Sequence, residues 1–227
     1  MLLIKVWWSV FAPKNSNVFD RSYLTELYDF FQTINEQIIF IHGTWNVWHW
    51  FVSEYWVSDD TIDIWREKSG IFFDKIDTLF KWYVRYSLDD VLSGKVNIQQ
   101  CKENIIIGWD ISDKWLQILS SDDGLWYIMQ TESIDIAYCL TDIDGILDSN
   151  NSIIPEINVL NTCAINFWEK PGDKSWWMRW KIEMFNQYIV NSNKNLWIVN
   201  GWKLDRIKQL LKTWKTKGTK IYKLDLK

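Results

Sequence analysis

The sequence alternates short apolar runs with amphipathic helical patterns along its length. Short apolar runs are typical of buried strands, whereas apolar residues three or four positions apart are typical of helices. The predicted strands are Leu2–Val6, Gln37–Ile41, Ile105–Ile107, Trp115–Leu119, Ile134–Thr141, Leu196–Val199 and Thr219–Leu224. The predicted helices are about Phe19–Asn35, Phe72–Leu92, Asp122–Glu132, Lys181–Val190 and Leu204–Lys212. This order predicts an α/β fold, a three-layer α/β/α sandwich with a mostly parallel central sheet.

In such a sheet, ligands bind at the carboxyl ends of the strands. The loops that follow Val6, Ile41, Ile107 and Leu140 are therefore the predicted site. The length of 227 residues suits a single domain, and no internal repeat or linker is evident.

Composition and charge narrow the function. The net charge of -4 offers no basic surface for nucleic acid. No apolar run reaches membrane-spanning length and no charged-then-apolar leader begins the sequence, so neither a membrane span nor a secretory signal is expected. The cysteines Cys101, Cys139 and Cys163 form no CxxC motif or cluster with histidine, which favours reduced thiols in a cytoplasmic protein without a metal site.

Tryptophan and glycine both depart from ordinary usage. The chain has 18 tryptophans and 9 glycines, whereas average usage would give about 16 glycines. The tryptophans crowd into the predicted strand-end loops, where turns need a residue that reaches positive φ or approaches a ligand closely. The segments are KVWWS (5–9), HGTWNVWHW (42–50), GWD (108–110), SWWMRWKI (175–182) and NGW (200–202).

With glycine in place of these tryptophans, the segments become the motifs of one family. They are IKVGGS, HGTGNVGHG and SGGMRGKI, in order with SSDD (120–123), TDIDG (141–145) and GTKI (218–221). In this form nearly the whole chain resembles the amino acid kinase family, most of all its isopentenyl phosphate kinases. It departs from the family at almost every motif glycine, where tryptophan stands instead.

Fourteen tryptophans match family glycines, of which Trp56 and Trp126 match least well. They are Trp7, Trp8, Trp45, Trp48, Trp50, Trp56, Trp109, Trp115, Trp126, Trp176, Trp177, Trp180, Trp202 and Trp214. At about 1 kcal/mol or more each, their strain would rival the typical total stability of about 5–15 kcal/mol. Three explanations stay open: functional tryptophans, deliberate replacement that fills the site, or UGA codons read as glycine. With the tryptophans in place, the chain is expected to be inactive.

Phosphoryl transfer depends mainly on positioned cations and backbone amides. The resemblance implies an ATP-dependent kinase in which Lys5 bridges the transferring phosphoryl group and the acceptor. It also implies that Lys181 neutralises the nucleotide's phosphates and that Asp122 orients both lysines. The alternatives are a solvated strand-end lysine for Lys5, a surface charge at a helix start for Lys181, and a helix N-cap for Asp122, which is compatible with its implied role.

The resemblance implies an acceptor that carries a phosphate, most specifically isopentenyl phosphate, with His49 facing that phosphate. A loop histidine packed on its neighbours is the alternative for His49, and His42 is expected to be a strand-end histidine with its hydrogen bonds satisfied. The apolar stripe over Phe72–Tyr83 could hold an acceptor tail, although its helical spacing favours core. The other implied acceptor contacts are Trp7, Trp8, Ser9, Lys14, Trp45 and Trp48.

The resemblance places the nucleotide in the carboxyl-terminal part, about residues 131–227, and the acceptor in residues 1–130. ATP is the implied cofactor, with Mg²⁺ held mainly by ATP oxygens, and a homodimer is common in the family. Without the resemblance, the Asp-x-Asp-Gly pattern is equally typical of a turn. The implied nucleotide contacts are Asp142, Asp144, Gly145, Trp176, Trp177 and Met178.

Three other functions stay open. A sibling kinase could phosphorylate a phosphonate antibiotic such as fosfomycin, and a non-catalytic relative could keep the fold without binding nucleotide. A tryptophan-rich module that stacks on sugars or bases would space its tryptophans along strands, whereas Trp7-Trp8 and Trp176-Trp177 crowd together in loops.

Overall fold

The computed structural model describes residues 1–11, 20–43, 74–108, 121–165 and 176–224. Its strands are β1 (Leu2–Val6), β2 (Ile38–His42), β3 (Val84–Ser87), β4 (Ile105–Gly108), β5 (Ile136–Thr141), β6 (Glu156–Asn158), β7 (Asn195–Asn200) and β8 (Gly218–Tyr222). Its helices are α1 (Trp8–Phe11), α2 (Arg21–Gln32), α3 (Leu88–Leu92), α4 (Ser121–Thr131), α5 (Trp176–Val190) and α6 (Leu204–Thr213). Residues 74–79 are also helical, and Ile98–Gln100 and Val159–Ala164 form 3-10 helices. The chain divides into two compact units, residues 1–127 and 128–227.

The first unit contains four parallel strands in the order β3-β4-β2-β1. Strands β1, β2 and β4 are buried at every position, as expected of apolar runs covered on both faces. Asp20 begins α2, because its Oδ1 accepts a hydrogen bond of 3.0 Å from the Tyr23 backbone. The parallel arrangement brings the carboxyl ends of β1, β2 and β4 to one edge.

The predicted helix over Phe72–Leu92 is wrong over residues 80–87. Helical backbone covers residues 74–79, after which β3 forms and α3 follows directly. Ser87, the last residue of β3, is the N-cap of α3, since its Oγ accepts a hydrogen bond of 3.0 Å from the Asp90 backbone. The β-branched and aromatic residues Val84 and Tyr86 favour a strand at this point.

Phe80 lies at the centre of an aromatic core in the first unit. Its ring contacts those of Tyr28, Phe31, Phe40 and Tyr83, with centroids 5.1–6.2 Å apart. Phe80 is only 1% exposed. This part of the apolar stripe is therefore packed core.

The second unit has the strand order β5-β7-β8-β6. Strands β5 and β7 are parallel, β8 runs antiparallel to β7, and β6 is parallel to β8. Because β8 runs in the opposite direction, its first residue, Gly218, pairs with Val199 near the end of β7. The start of β8 thus lies at the edge where β5 and β7 end. The sequence did not predict β6, which has three residues and follows Pro155.

Candidate active site

Lys5 and Asp122 form a buried ion pair in the first unit. The Lys5 ammonium bonds to Asp122 Oδ1, and the two side chains are 2% and 7% exposed. Lys5 lies near the carboxyl end of β1, and Asp122 lies in the first turn of α4, where the helix dipole favours a carboxylate. The interpretation of Lys5 as a solvated lysine is therefore wrong, because both charges are withdrawn from water and neutralise each other.

Gly43 brings the start of α4 close to the end of β2. A Cβ atom at residue 43 would lie 2.8 Å from Ser121 Oγ, nearer than real Cβ atoms approach. Strand β2 pairs with β1, with Ile41 opposite Lys5. Gly43 and Ser121 thus pack closely where β2 ends and α4 begins, and a side chain at residue 43 would require the Ser121 hydroxyl to turn away.

His42 ends β2, as the sequence interpretation expected, and its side chain is buried in the core. It is 1% exposed, and its ring lies 5.8 Å from that of Phe40. Burial lowers its pKa to about 3, and the positive charge of Arg85 adds to this effect. Because side chains alternate along a strand, His42 points to the opposite face of the sheet from Ile41 and its neighbour Lys5.

Two of the predicted strand-end loops are helical. Strand β1 passes almost directly into α1, and the Trp7 carbonyl accepts a hydrogen bond of 3.0 Å from the Val10 backbone. The segment predicted as a phosphate-binding loop, with Trp176, Trp177, Met178 and Lys181, lies within α5. Tryptophan has a higher helix propensity than glycine by several tenths of a kcal/mol, so the tryptophans favour helix at these positions.

Positive φ marks only one of the fourteen tryptophans among the described residues. Trp214 has φ 57° at the carboxyl end of α6, a position usually taken by glycine, and is 57% exposed. Trp126 lies inside α4, as the predicted helix Asp122–Glu132 implies, and is fully buried, so it is not in a strand-end loop. Trp7, at the end of β1, has no positive φ.

Asp144 is surrounded by cations in the second unit. Its Oδ1 accepts a hydrogen bond of 2.8 Å from Asn200 and lies 2.7 Å from Arg206 Nη1 and 3.0 Å from Lys203 Nζ. Its Oδ2 lies 3.2 Å from Lys217 Nζ. The Arg206 guanidinium, with the lysines and Asn200, holds the pKa of this carboxyl far below its usual range. The three cations were not predicted from the sequence.

The backbone beside Asp144 is fixed by Gly145 and Thr219. Gly145 has φ 147°, and a Cβ there would lie 2.8 Å from Thr219 Oγ1. The same hydroxyl accepts a hydrogen bond of 2.8 Å from the Ile146 backbone and donates one of 2.7 Å to the Ile154 carbonyl. Asp142 is half-buried beside Thr141 at the end of β5. Gly145 therefore serves the packing of the turn.

Several predicted residues lie outside the described ranges, namely His49, Lys14, Trp45 and Trp48. Within the described ranges, no group of three or more histidine, cysteine, aspartate or glutamate side chains could hold a metal ion. The described helices include none that is both long and apolar enough to cross a membrane.

No protein-family model matches the chain, and no curated protein sequence matches it. Several solved structures do match the chain. The product complex of isopentenyl phosphate kinase from T. acidophilum superposes with a TM-score of 0.68 at 15% identity, over 97% of this chain and 99% of that one. UMP kinase from Ureaplasma parvum superposes with a TM-score of 0.70 at 14% identity, over 98% and 99%.

The fold is amino acid kinase-like, and the predicted fold class, a three-layer α/β/α sandwich with a mostly parallel sheet, is confirmed. The same fold occurs in N-acetylglutamate synthase from Neisseria gonorrhoeae, with a TM-score of 0.71 at 11% identity over 98% of this chain and 61% of that one. Since a synthase shares it, the fold does not by itself define a reaction, and the site must do so.

Proposed function

We propose that the protein is an ATP-dependent small-molecule kinase whose acceptor carries a phosphate, most specifically one that converts isopentenyl phosphate to isopentenyl diphosphate. The observation that supports this proposal is the buried Lys5–Asp122 pair. A lysine held rigidly at the carboxyl end of a parallel strand is a cation suited to phosphoryl transfer, which depends on position and charge.

In this proposal Lys5 contacts the transferring phosphoryl group and the acceptor, while Asp122 fixes the direction of its ammonium. Lys181 neutralises the outer phosphates of the nucleotide, and His49 donates a hydrogen bond to the acceptor's phosphate. The proposed acceptor contacts are Trp7, Trp8, Ser9, Lys14, Trp45 and Trp48. The proposed nucleotide contacts are Asp142, Asp144, Gly145, Trp176, Trp177 and Met178.

Mg²⁺, where it accompanies ATP, would neutralise phosphate charge. The carboxylates of Asp122 and Asp144 are already bound by protein cations. Neither carboxylate therefore suits a metal ion, and ATP oxygens would supply its ligands. Asp142, which is half-buried at the end of β5, could instead orient a metal-bound water.

The proposal applies to a chain with glycine at the fourteen motif positions. An indole ring where a phosphate must meet backbone amides would block binding, so the chain with tryptophan there is expected to bind no ATP.

The first test is the gene itself. About fourteen UGA codons at the motif positions, with UGG at Trp65, Trp82, Trp168 and Trp197, would establish glycine in the natural protein. UGG at all eighteen positions would establish genuine tryptophans and leave a filled-in, inactive relative.

The second test is activity. A chain with glycine at the fourteen positions should bind ATP by calorimetry and convert isopentenyl phosphate to its diphosphate, with fosfomycin as the competing acceptor. Its Lys5→Met/Asp122→Leu variant, which removes both charges of the buried pair, should keep the fold and lose turnover. A folded glycine-containing chain that phosphorylates neither acceptor would refute the kinase, whereas conversion of fosfomycin alone would refute the isopentenyl acceptor. Micromolar ATP binding by the tryptophan-containing chain would refute blockage by indole rings.

A further inference from the structure

The Asp144 cluster, defined as Asp144 with Lys203, Arg206 and Lys217, carries more positive than negative charge. One carboxylate faces three cations that come from two elements, the start of α6 and the residue before β8. Within the described ranges, these three side chains form ion pairs with Asp144 alone. Two positive charges of the cluster thus remain without a counter-charge from it.

The position of the cluster follows from the sheet. Asp144 comes three residues after β5 ends, and Asn200 is the last residue of β7. Lys217 reaches the same edge because β8 is antiparallel and begins there. In α/β sheets this edge is where ligands bind.

The contacts of Asp144 indicate which members could meet a ligand. Both carboxylate oxygens are occupied, and the side chain is 24% exposed. Lys203 and Lys217 are 45% and 58% exposed, so their ammonium groups can donate to a second anion. Arg206 is 16% exposed and, with five N–H donors, has more donors than one carboxylate oxygen uses.

We propose that Lys203, Arg206 and Lys217 form a binding site for a phosphate chain, with Asp144 as the positioning residue that holds them together. The assignment of that chain to ATP rests on the proposed function. Phosphate is the anion that such a group of arginine and lysine donors recognises best. Asp144 then acts on the phosphate chain through the cations that it holds.

The binding test uses inorganic pyrophosphate and the full chain with its tryptophans, by calorimetry at low salt. Pyrophosphate should bind, and both Arg206→Gln and the double variant Lys203→Gln/Lys217→Gln should weaken it about tenfold or more. Lys212→Gln, a basic residue in the last turn of the same helix, is the matched control and should change affinity less than about twofold. No pyrophosphate binding, or equal weakening by Lys212→Gln, would overturn the site.

Thermal melting separates binding from a purely structural role. Because Lys203 and Lys217 are exposed, their double variant should keep the melting temperature within a few degrees. A variant that loses stability yet binds pyrophosphate as the parent does would show that the cluster only connects α6 to β8.

A competition experiment identifies the source of the phosphate chain. On the chain with glycine at the fourteen positions, ATP should displace pyrophosphate and adenosine should not. If ATP binds beside retained pyrophosphate, the site takes a free anion and the assignment to ATP is wrong. If this chain binds pyrophosphate at the cluster but transfers no phosphate, the anion site stands and the kinase proposal fails.

Discussion

Each of the two units holds charged side chains at a strand end, but the units balance these charges in different ways. In the first unit, one lysine and one aspartate are both buried and neutralise each other. In the second, one aspartate meets three cations, of which two are lysines about half exposed. Burial explains the difference, because a buried charge must be balanced by an opposite charge, whereas a solvent-exposed charge need not be.

The difference also separates two tasks. A balanced buried pair holds a single ammonium in one place but offers little field to a distant ligand. An unbalanced, hydrated cluster attracts an anion but depends on salt, since exposed charges are screened. The first suits positioning of a reacting group, and the second suits capture of a charged substrate.

The largest effect is expected from Asp122→Asn. The substitution removes the charge of Asp122 from the buried Lys5 ammonium, so the free energy of unfolding should fall by about 3–5 kcal/mol. Urea denaturation measures it. Asp135→Asn is the control, because Asp135 is 82% exposed in its pair with Lys194 and should contribute less than about 1 kcal/mol.

The double variant Lys5→Met/Asp122→Leu completes this test. Replacing both charges with apolar side chains should recover most of the lost stability. In the glycine-containing chain it should still abolish phosphoryl transfer. Stability and turnover that recover together would mean that the pair has no part in the reaction.

The second prediction concerns His42, the buried base of the first unit. The folded imidazole stays neutral down to a pKa of about 3, whereas the unfolded one takes a proton near its ordinary 6.5. Folding therefore loses stability as the pH falls below 6.5, by up to about 1.4 kcal/mol per pH unit. In the His42→Phe variant, the free energy of unfolding should depend less on pH between pH 6.5 and 4. An unchanged slope of stability against pH would contradict this prediction.

The third prediction is the matching experiment on Asp144 in the second unit. Its pKa lies far below the ordinary 3.8, so it stabilises the fold fully above that value, and the contribution is lost as the pH falls further. Asp144→Asn should cost about 1–2 kcal/mol at pH 7, and the difference from the parent should shrink below pH 4. A difference that grows in acid would show that the carboxyl is not held ionised by its neighbours.

The smallest effect is expected from Trp214→Gly in the second unit. Removing an exposed side chain from left-handed backbone should stabilise the fold by about 1 kcal/mol, seen as a higher melting temperature. Trp197→Gly is the opposite case, because Trp197 is 8% exposed in β7, and it should cost about 3–5 kcal/mol. Destabilisation by both would contradict strain at residue 214.

Sequence patterns predicted the buried strands well for a physical reason. Strands β1, β2, β4, β5 and β7 carry continuous apolar runs because both faces are covered. Strand β3 was missed, because Phe80 and Tyr83 extend the helical spacing into it. Strand β6 was missed because Glu156–Asn158 is short and polar at its ends.

The site was only partly predictable. Lys5 and Asp122 were expected together on the strength of family motifs, and the structure brings them into contact. The cations around Asp144 lie 59–73 positions further along the chain, in no motif, and only the antiparallel turn of β8 brings Lys217 to them. Pairing across such distances depends on topology, which local patterns do not contain.

The backbone angle at Trp214 has a consequence for how a gene is translated. A residue in left-handed conformation at the end of a helix favours glycine for steric reasons, and this preference does not depend on the codon table. If glycine stabilises this position and the codon is UGA, a dihedral angle will have revealed the amino acid that the ribosome inserts. The backbone conformation of the folded chain would then give evidence for the genetic code that is independent of the gene sequence.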